Sequence, residues 1–227
     1  MTILDSRDVT VPAGTVSLKG TLAVPAGASG LIAFAHGSGS SRFSPRNRNV
    51  ARALNGAGFA TLLLDLLTAS ENERDELTAE FRFDIPLLAR RLTFTMNWLA
   101  AQPLTRLLPI GLFGASTGAA AALIAAAICP ELVRAVVSRG GRPDLAGAAL
   151  EAVCAPTLLI VGGDDVQVIA LNRQAARRLR CPHEVAIVAG ATHLFEEWGA
   201  LDRVTELAAN WFQHYLPERA PLAAPAA

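Results

Sequence analysis

Apolar residues in this chain fall into two patterns that take turns. Nearly continuous runs occur at Leu31–Ala35, Leu107–Phe113, Val133–Val137, Pro156–Val161 and Glu184–Val188. Runs of that length without a polar stripe predict strands buried on both faces of a parallel sheet. Nearer the start, Asp8–Val11 and Thr15–Val24 alternate apolar with polar around Pro12-Ala13-Gly14, which predicts an antiparallel pair at the sheet edge. Helices with readable ends lie between the runs. Ser44 before Pro45 predicts an N-cap and a first helical position, and Asn55-Gly56 a stop. Asp84 and Pro86 open a second helix that reaches Trp98-Leu99, and Ala119–Cys129 is apolar all round, as a core helix is. A final helix is expected directly after His193. Strand and helix alternating in this way predict an α/β fold, with a mostly parallel central sheet, an antiparallel edge and helices on both faces.

The length of 227 residues suits one domain, placed at 1–216, and the alanine- and proline-rich stretch 217–227 is expected to be a disordered tail. The interval between Val137 and Pro156 is too short for a separate lid. The acidic stretch Ser70–Glu76 is the one loop long enough to partly cover the strands' carboxyl ends, and it is expected to be a solvated surface loop.

Composition narrows the function classes. With 20 basic and 20 acidic residues, the net charge is zero, so no polybasic surface draws in nucleic acid or an anionic membrane. Much of the hydrophobic fraction of 52% is alanine, and the most apolar segment, Gly118–Cys129, is too short to span a bilayer. Met1–Asp8 carries charges where a signal peptide has its apolar centre, so the expected location is cytoplasmic. Cys129, Cys154 and Cys181 are odd in number and lack metal-ligand spacing, as reduced thiols in or near a core would be.

Chemistry enters at Gly114-Ala115-Ser116-Thr117-Gly118, which follows a strand run and opens the alanine-rich helix. A GxSxG sequence between strand and helix is the pattern of a nucleophile elbow: a tight turn lifts the serine hydroxyl above the sheet. A serine needs a base, and the base needs an orienting carboxylate. The run ending at Val161 leads into Gly162-Gly163-Asp164-Asp165, and the run ending at Val188 leads into Ala189-Gly190-Ala191-Thr192-His193. Candidate catalytic residues are therefore Ser116, His193 and one of the two aspartates. The run Leu31–Ala35 ends in His36-Gly37-Ser38-Gly39, a loop of small residues suited to an oxyanion hole. The backbone N–H groups of Ser38 and Thr117 are the candidate donors, and His36 shapes the loop or meets the substrate.

Taken in order, HGSG, GASTG, GGDD and GATH resemble the α/β-hydrolase superfamily, and within it the dienelactone-hydrolase-like group of small cap-less hydrolases, over roughly residues 8 to 216. The resemblance implies the α/β-hydrolase fold, places the triad acid at Asp165 and leaves Asp164 to cap a turn or helix. Dienelactone hydrolases proper carry cysteine at the elbow where this chain has Ser116. The resemblance thus implies ester hydrolysis through an acyl-enzyme, without a metal or organic cofactor, on a small-molecule ester, while the serine leaves the dienelactone itself open as substrate. Transfer to an acceptor other than water, thioester or amide cleavage, and a non-catalytic binding protein on the same fold are the alternatives.

Other polar residues carry weaker signals. Arg42, Arg46 and Arg48 after the oxyanion loop, and Arg139 and Arg142 after another strand, are placed to hold an anionic substrate group, Arg139 above all. Against this stands a bias of composition, since Lys19 is the only lysine. Glu196 and Glu197 suit the first turn of the last helix, and His183 and His214 are expected on the surface.

Overall fold

Residues 3–216 are described by the computed structural model of the protein, and the tail expected at 217–227 lies outside them. Among the described residues eight strands make one sheet. They are β1 (Ile3–Ala13), β2 (Val16–Pro25), β3 (Gly30–Ala35), β4 (Phe59–Leu64), β5 (Ile110–Ala115), β6 (Val133–Arg139), β7 (Thr157–Gly162) and β8 (His183–Val188). Their spatial order is β1-β2-β4-β3-β5-β6-β7-β8. The pair β1/β2 is antiparallel and the pairs from β3 onward are parallel, as the run-and-alternation pattern predicts, and β2/β4 is a second antiparallel pair. β4 was not foreseen, although its six residues are all buried; it slots between β2 and β3. β5 begins later than its apolar run. Pro109 has no N–H to give a ladder, and its carbonyl instead accepts from Leu31 N–H at 2.9 Å.

The helices are α1 (Pro45–Gly56), α2 (Ala69–Thr78), α3 (Ile85–Ala101), α4 (Thr117–Ile128), α5 (Val166–Ala176) and α6 (Ala200–Tyr215), with a 3₁₀ stretch at Pro143–Ala152. Successive residues of a strand face opposite sides, so β3 feeds two cores. Leu31, Ala33 and Ala35 join the layer built with α3 and α4, while Ile32 and Phe34 join the layer built with α1 and α6. α4 shows why its sequence is alanine: Ala119–Ala122, Ala125 and Ala126 have no exposed surface, wedged between β5, α3 and the 3₁₀ stretch. No helix among the described residues is long and apolar enough to cross a membrane.

Two expectations are corrected here. Ser70–Glu76 is not a loop; it lies in α2, whose start is a capping box in which Thr68 and Glu71 exchange side-chain and backbone hydrogen bonds. A dense run of charges hid that local signal. The last helix begins at Ala200, after an αL residue at Gly199 (φ 73°). Glu196 and Glu197 therefore precede the helix, and Asp202 is its first-turn acid.

Candidate active site

The carboxyl ends of β3, β5, β6, β7 and β8 converge, and every candidate residue sits there, as expected for an open α/β sheet. Ser116 is the turn between β5 and α4. Its backbone lies at φ 49° and ψ −123°, one of few positive-φ residues that are not glycine. Such a conformation costs about 1–3 kcal/mol. Three backbone hydrogen bonds hold it: Ser116 N–H to Arg139 O (3.3 Å), Arg142 N–H to Ser116 O (3.0 Å) and Ala119 N–H to Ser116 O (3.1 Å). At about 0.5–1.5 kcal/mol each they are sufficient to offset the strain. The flanking glycines are required by close approach. A Cβ on Gly118 would stand 2.2 Å from Ala35 O, and one on Gly114 2.5 Å from Ala119 Cα. Any side chain there pushes the elbow away from β3 or from α4.

His193 and Asp165 meet across the ends of β8 and β7. His193 Nδ1 donates to Asp165 Oδ2 at 2.7 Å, which leaves Nε2 as the free ring nitrogen. Asp165 stands at the N-cap of α5 yet caps no helical N–H with its side chain, because its carboxylate is committed to the imidazole. Asp164 is exposed, and its N–H bonds Ala191 O at 3.0 Å. Ser116 Oγ makes no hydrogen bond to His193 among the described residues. Both flank one turn, however. Gly140, next to the carbonyl that accepts from Ser116, has the His193 carbonyl and Cε1 at 3.0 and 3.6 Å from its Cβ position. Contacts of this kind often close only when substrate arrives.

The HGSG loop lies directly on the elbow: a Cβ on Gly37 would be 2.8 Å from Ser116 Cβ. Ser38 Oγ and Thr117 Oγ1 are 3.0 Å apart, so the structure brings these two residues together. Neither backbone N–H has an acceptor among the described residues, which leaves both for a ligand. His36 is buried with both ring nitrogens engaged. Nδ1–H donates to Gly37 O (2.9 Å), and Nε2 accepts from Leu66 N–H (3.0 Å). Burial pushes its pKa below the ordinary 6.5, against the Gly37 carbonyl and the Asp65 charge that act the other way. It is a neutral clamp between the loops after β3 and β4, with no nitrogen left for a substrate.

The arginines divide sharply. Arg42 pairs with Asp65, Arg142 with Asp144 (2.8 Å) and Arg46 with Glu196 (2.6 Å), while Arg48 is exposed over the Phe43 ring. Arg139 is buried, and its side chain makes no ion pair or hydrogen bond among the described residues. Glu197 takes the Thr192 hydroxyl, which holds its pKa below the ordinary carboxylate value. His183 and His214 are exposed, as expected. Sequence reading missed that the segment near the mouth is the helix α2 and that a clasp ends it. Asp75 is buried and accepts from Phe81 N–H, Arg82 N–H and Arg82 Nε, and this clasp brings the Arg82 carbonyl to Ser38 Oγ at 3.4 Å. The capping box at Thr68-x-x-Glu71 was the available signal.

Comparison with known proteins gives the family and the fold. Residues 18–216 match the model of a family described as the dienelactone hydrolase family. The crystal structure of a dienelactone hydrolase from Anabaena variabilis is similar, with 57% identity and a TM-score of 0.92, covering 95% of this chain and 99% of that one. Two Mycobacterium tuberculosis proteins, each provisionally named a phosphoribosyl transferase, are 56% identical over 213 residues, 94% of this chain and 47% of theirs. The chain thus spans about half the length of the curated relatives it matches. Est1E from Butyrivibrio proteoclasticus, 14% identical with a TM-score of 0.76 over 92% of this chain and 98% of that one, shares the fold alone.

Proposed function

The chain belongs to the dienelactone hydrolase family, and from that premise we propose that it is a serine hydrolase that cleaves small carboxylic esters through an acyl-enzyme. The observation that carries the reading is the positive-φ elbow at Ser116, set beside a His193–Asp165 pair joined at 2.7 Å. Serine is held in such a backbone only at a cost, and an imidazole whose Nδ1–H is fixed by a carboxylate has its other nitrogen ready to take a proton.

In the proposed reaction His193 Nε2 takes the Ser116 proton as Oγ attacks the ester carbonyl carbon. The oxygen that becomes negative is received by the N–H groups of Ser38 and Thr117, both without acceptors among the described residues. Collapse of the tetrahedral intermediate breaks the bond to the alcohol, which leaves with the proton carried by His193. Water, deprotonated by the same nitrogen, then attacks the acyl carbon and releases the acid and Ser116. Asp165 holds the imidazole in one tautomer and stabilises it while it is cationic.

The test is labelling with a fluorophosphonate probe, with the adduct located by mass spectrometry, beside Ser116→Ala and hydrolysis of p-nitrophenyl esters. Labelling at Ser116 that is lost in the variant, with kcat reduced by about 10³-fold or more, is the expected outcome. A folded wild-type protein that takes no label between about pH 7 and 9 would make this a binding protein on a hydrolase fold.

A further inference from the structure

The two N–H donors of the oxyanion hole come from segments 79 residues apart in sequence, the loop after β3 and the start of α4. Thr117 is framed by the elbow, where the Ser116 carbonyl accepts from Arg142 N–H and Ala119 N–H. Ser38 has no such frame. It stands between Gly37 and Gly39 (φ 65°), which offer no side chain to wedge the loop, and the backbone bond that closes the loop is Ser40 N–H to Gly37 O at 3.2 Å.

The Ser38 hydroxyl supplies the missing tie. A carbonyl only accepts, so Ser38 Oγ–H donates to Arg82 O (3.4 Å), which leaves Thr117 Oγ1–H to donate to Ser38 Oγ (3.0 Å). The first contact is long for a hydroxyl donor, and the Arg82 side chain backs it: a Cβ on Gly39 would stand 3.8 Å from Arg82 Nη1. The space lined by Ser38, Gly39, Asn72, Arg82 and Thr117, among others, is about 10 Å³. That is no more than one water needs, so Arg82 meets the loop here as a support and not across a subsite. One buried carboxylate in turn sets Arg82. Asp75, 1% exposed, accepts from Phe81 N–H at 2.7 Å, Arg82 N–H at 2.9 Å and Arg82 Nε at 2.7 Å, and its own carbonyl accepts from Arg82 Nη2. Three of these four bonds come from Arg82, so its backbone and its side chain are both held by one residue of α2.

We propose that Asp75 is a positioning residue for the oxyanion hole, acting through the Arg82 carbonyl and the linked hydroxyls of Ser38 and Thr117; this rests on the hydrolase reading above. Donors stabilise a developing oxyanion only when they are already aimed at it. With the clasp released, the Ser38 N–H leaves its place while the Thr117 N–H, framed by the elbow, keeps its own. The loss falls on the transition state and spares the bound ester.

The full chain is assayed on p-nitrophenyl butyrate as wild type, Asp75→Asn, Ser38→Ala and the double variant. Each kcat is referred to the sites that take a fluorophosphonate label, so that unfolded protein does not count. Each single variant is expected to lose about 10–100-fold in kcat with KM within about twofold of wild type, less than deletion of a donor costs because the N–H remains. Since both act along one path, the double variant should lie within about threefold of the slower single one. Multiplied effects, or a Ser38→Ala kcat within about twofold of wild type, overturn the proposal. Should Asp75→Asn not fold, Arg82→Gln, which keeps the Phe81 and Arg82 N–H bonds to Asp75, takes its place in the same cycle with the same expected coupling. Hydrogen exchange at Ser40 N–H is followed in parallel, and its protection should fall in the clasp variant. If wild type hydrolyses no ester and takes no label, the hydrolase reading fails. Unchanged Ser40 protection would then show separately that the clasp does not hold the loop.

Discussion

Asp164 and Asp165 are adjacent in sequence and opposite in surroundings. The Asp165 carboxylate is mostly buried and 2.7 Å from the His193 ring, whereas the Asp164 side chain faces solvent. If the proposed mechanism holds, only one of them fixes the imidazole tautomer, and the loss should be lopsided. Asp165→Asn is expected to lower kcat on p-nitrophenyl esters by about 10²–10⁴-fold, because an amide in that place can favour the wrong tautomer. Asp164→Asn is expected to stay within about twofold of wild type, since exposed substitutions away from the reacting atoms seldom matter. Steady-state kinetics of the two variants decides it, and the reverse order would transfer the role to Asp164. Arg139 belongs to this scale too: its neighbours in sequence are unremarkable, and only its lack of a carboxylate among the described residues sets it apart from the six other buried or half-buried arginines, which are paired.

At the scale of elements, α2 and the turn after it are held over the HGSG loop by charges more than by apolar contact. Glu71 pairs with the buried Arg91 at 2.6 Å, and Asp75 with Arg82 at 2.7 Å. Burial by itself would raise both carboxyl groups. Hydrogen bonds from Arg91 and Thr68 to Glu71, and from Arg82 and Phe81 to Asp75, overcome it and leave each below its ordinary value of 4.5 or 3.8. A carboxylate with a depressed folded pKa contributes stability that is complete above its unfolded pKa and is lost as pH falls towards the folded one. The loss therefore begins near pH 4.5 and grows on further acidification. Hydrogen exchange followed from pH 6 to 3 should show protection in residues 69–84 falling before that in α4, whose alanines carry no titratable group. Glu71→Gln should weaken the same segment at pH 7 by about 1.5–3 kcal/mol. Segments that lose protection together at every pH would contradict this account.

For the whole molecule the decisive fact is that both apolar layers are built on the same strands. Ile32 and Phe34 lie in one layer and Leu31, Ala33 and Ala35 in the other, so neither layer can open without breaking β3. Cooperative unfolding of residues 3–216 follows. The tryptophans allow a check, since Trp98 packs against the α3/α4 layer and Trp211 against the α1/α6 layer. Trp98→Phe and Trp211→Phe each leave one of these two reporters, and their fluorescence midpoints in denaturant are expected to coincide with that of far-UV circular dichroism after correction for each variant's own stability. Separated midpoints within one variant would mean that the layers melt independently.

Features carried by short-range patterns were legible without any structure. The order of strand and helix, the antiparallel edge, the caps at Ser44 and Asp84, and the placing of Ser116, Asp165 and His193 at strand ends all depend on a few neighbouring residues. Steric contact, hydrogen-bond geometry and apolar periodicity act over that range and leave a local imprint. β4 carried the same imprint in Phe59–Leu64 and was readable in principle. By contrast, the choice between two aspartates, the buried clasp of Asp75 with Arg82, the double engagement of His36 and the missing partner of Arg139 are decided by residues far away in sequence. Burial and charge pairing depend on what the fold brings near, and a side chain's own sequence neighbours hold no record of it.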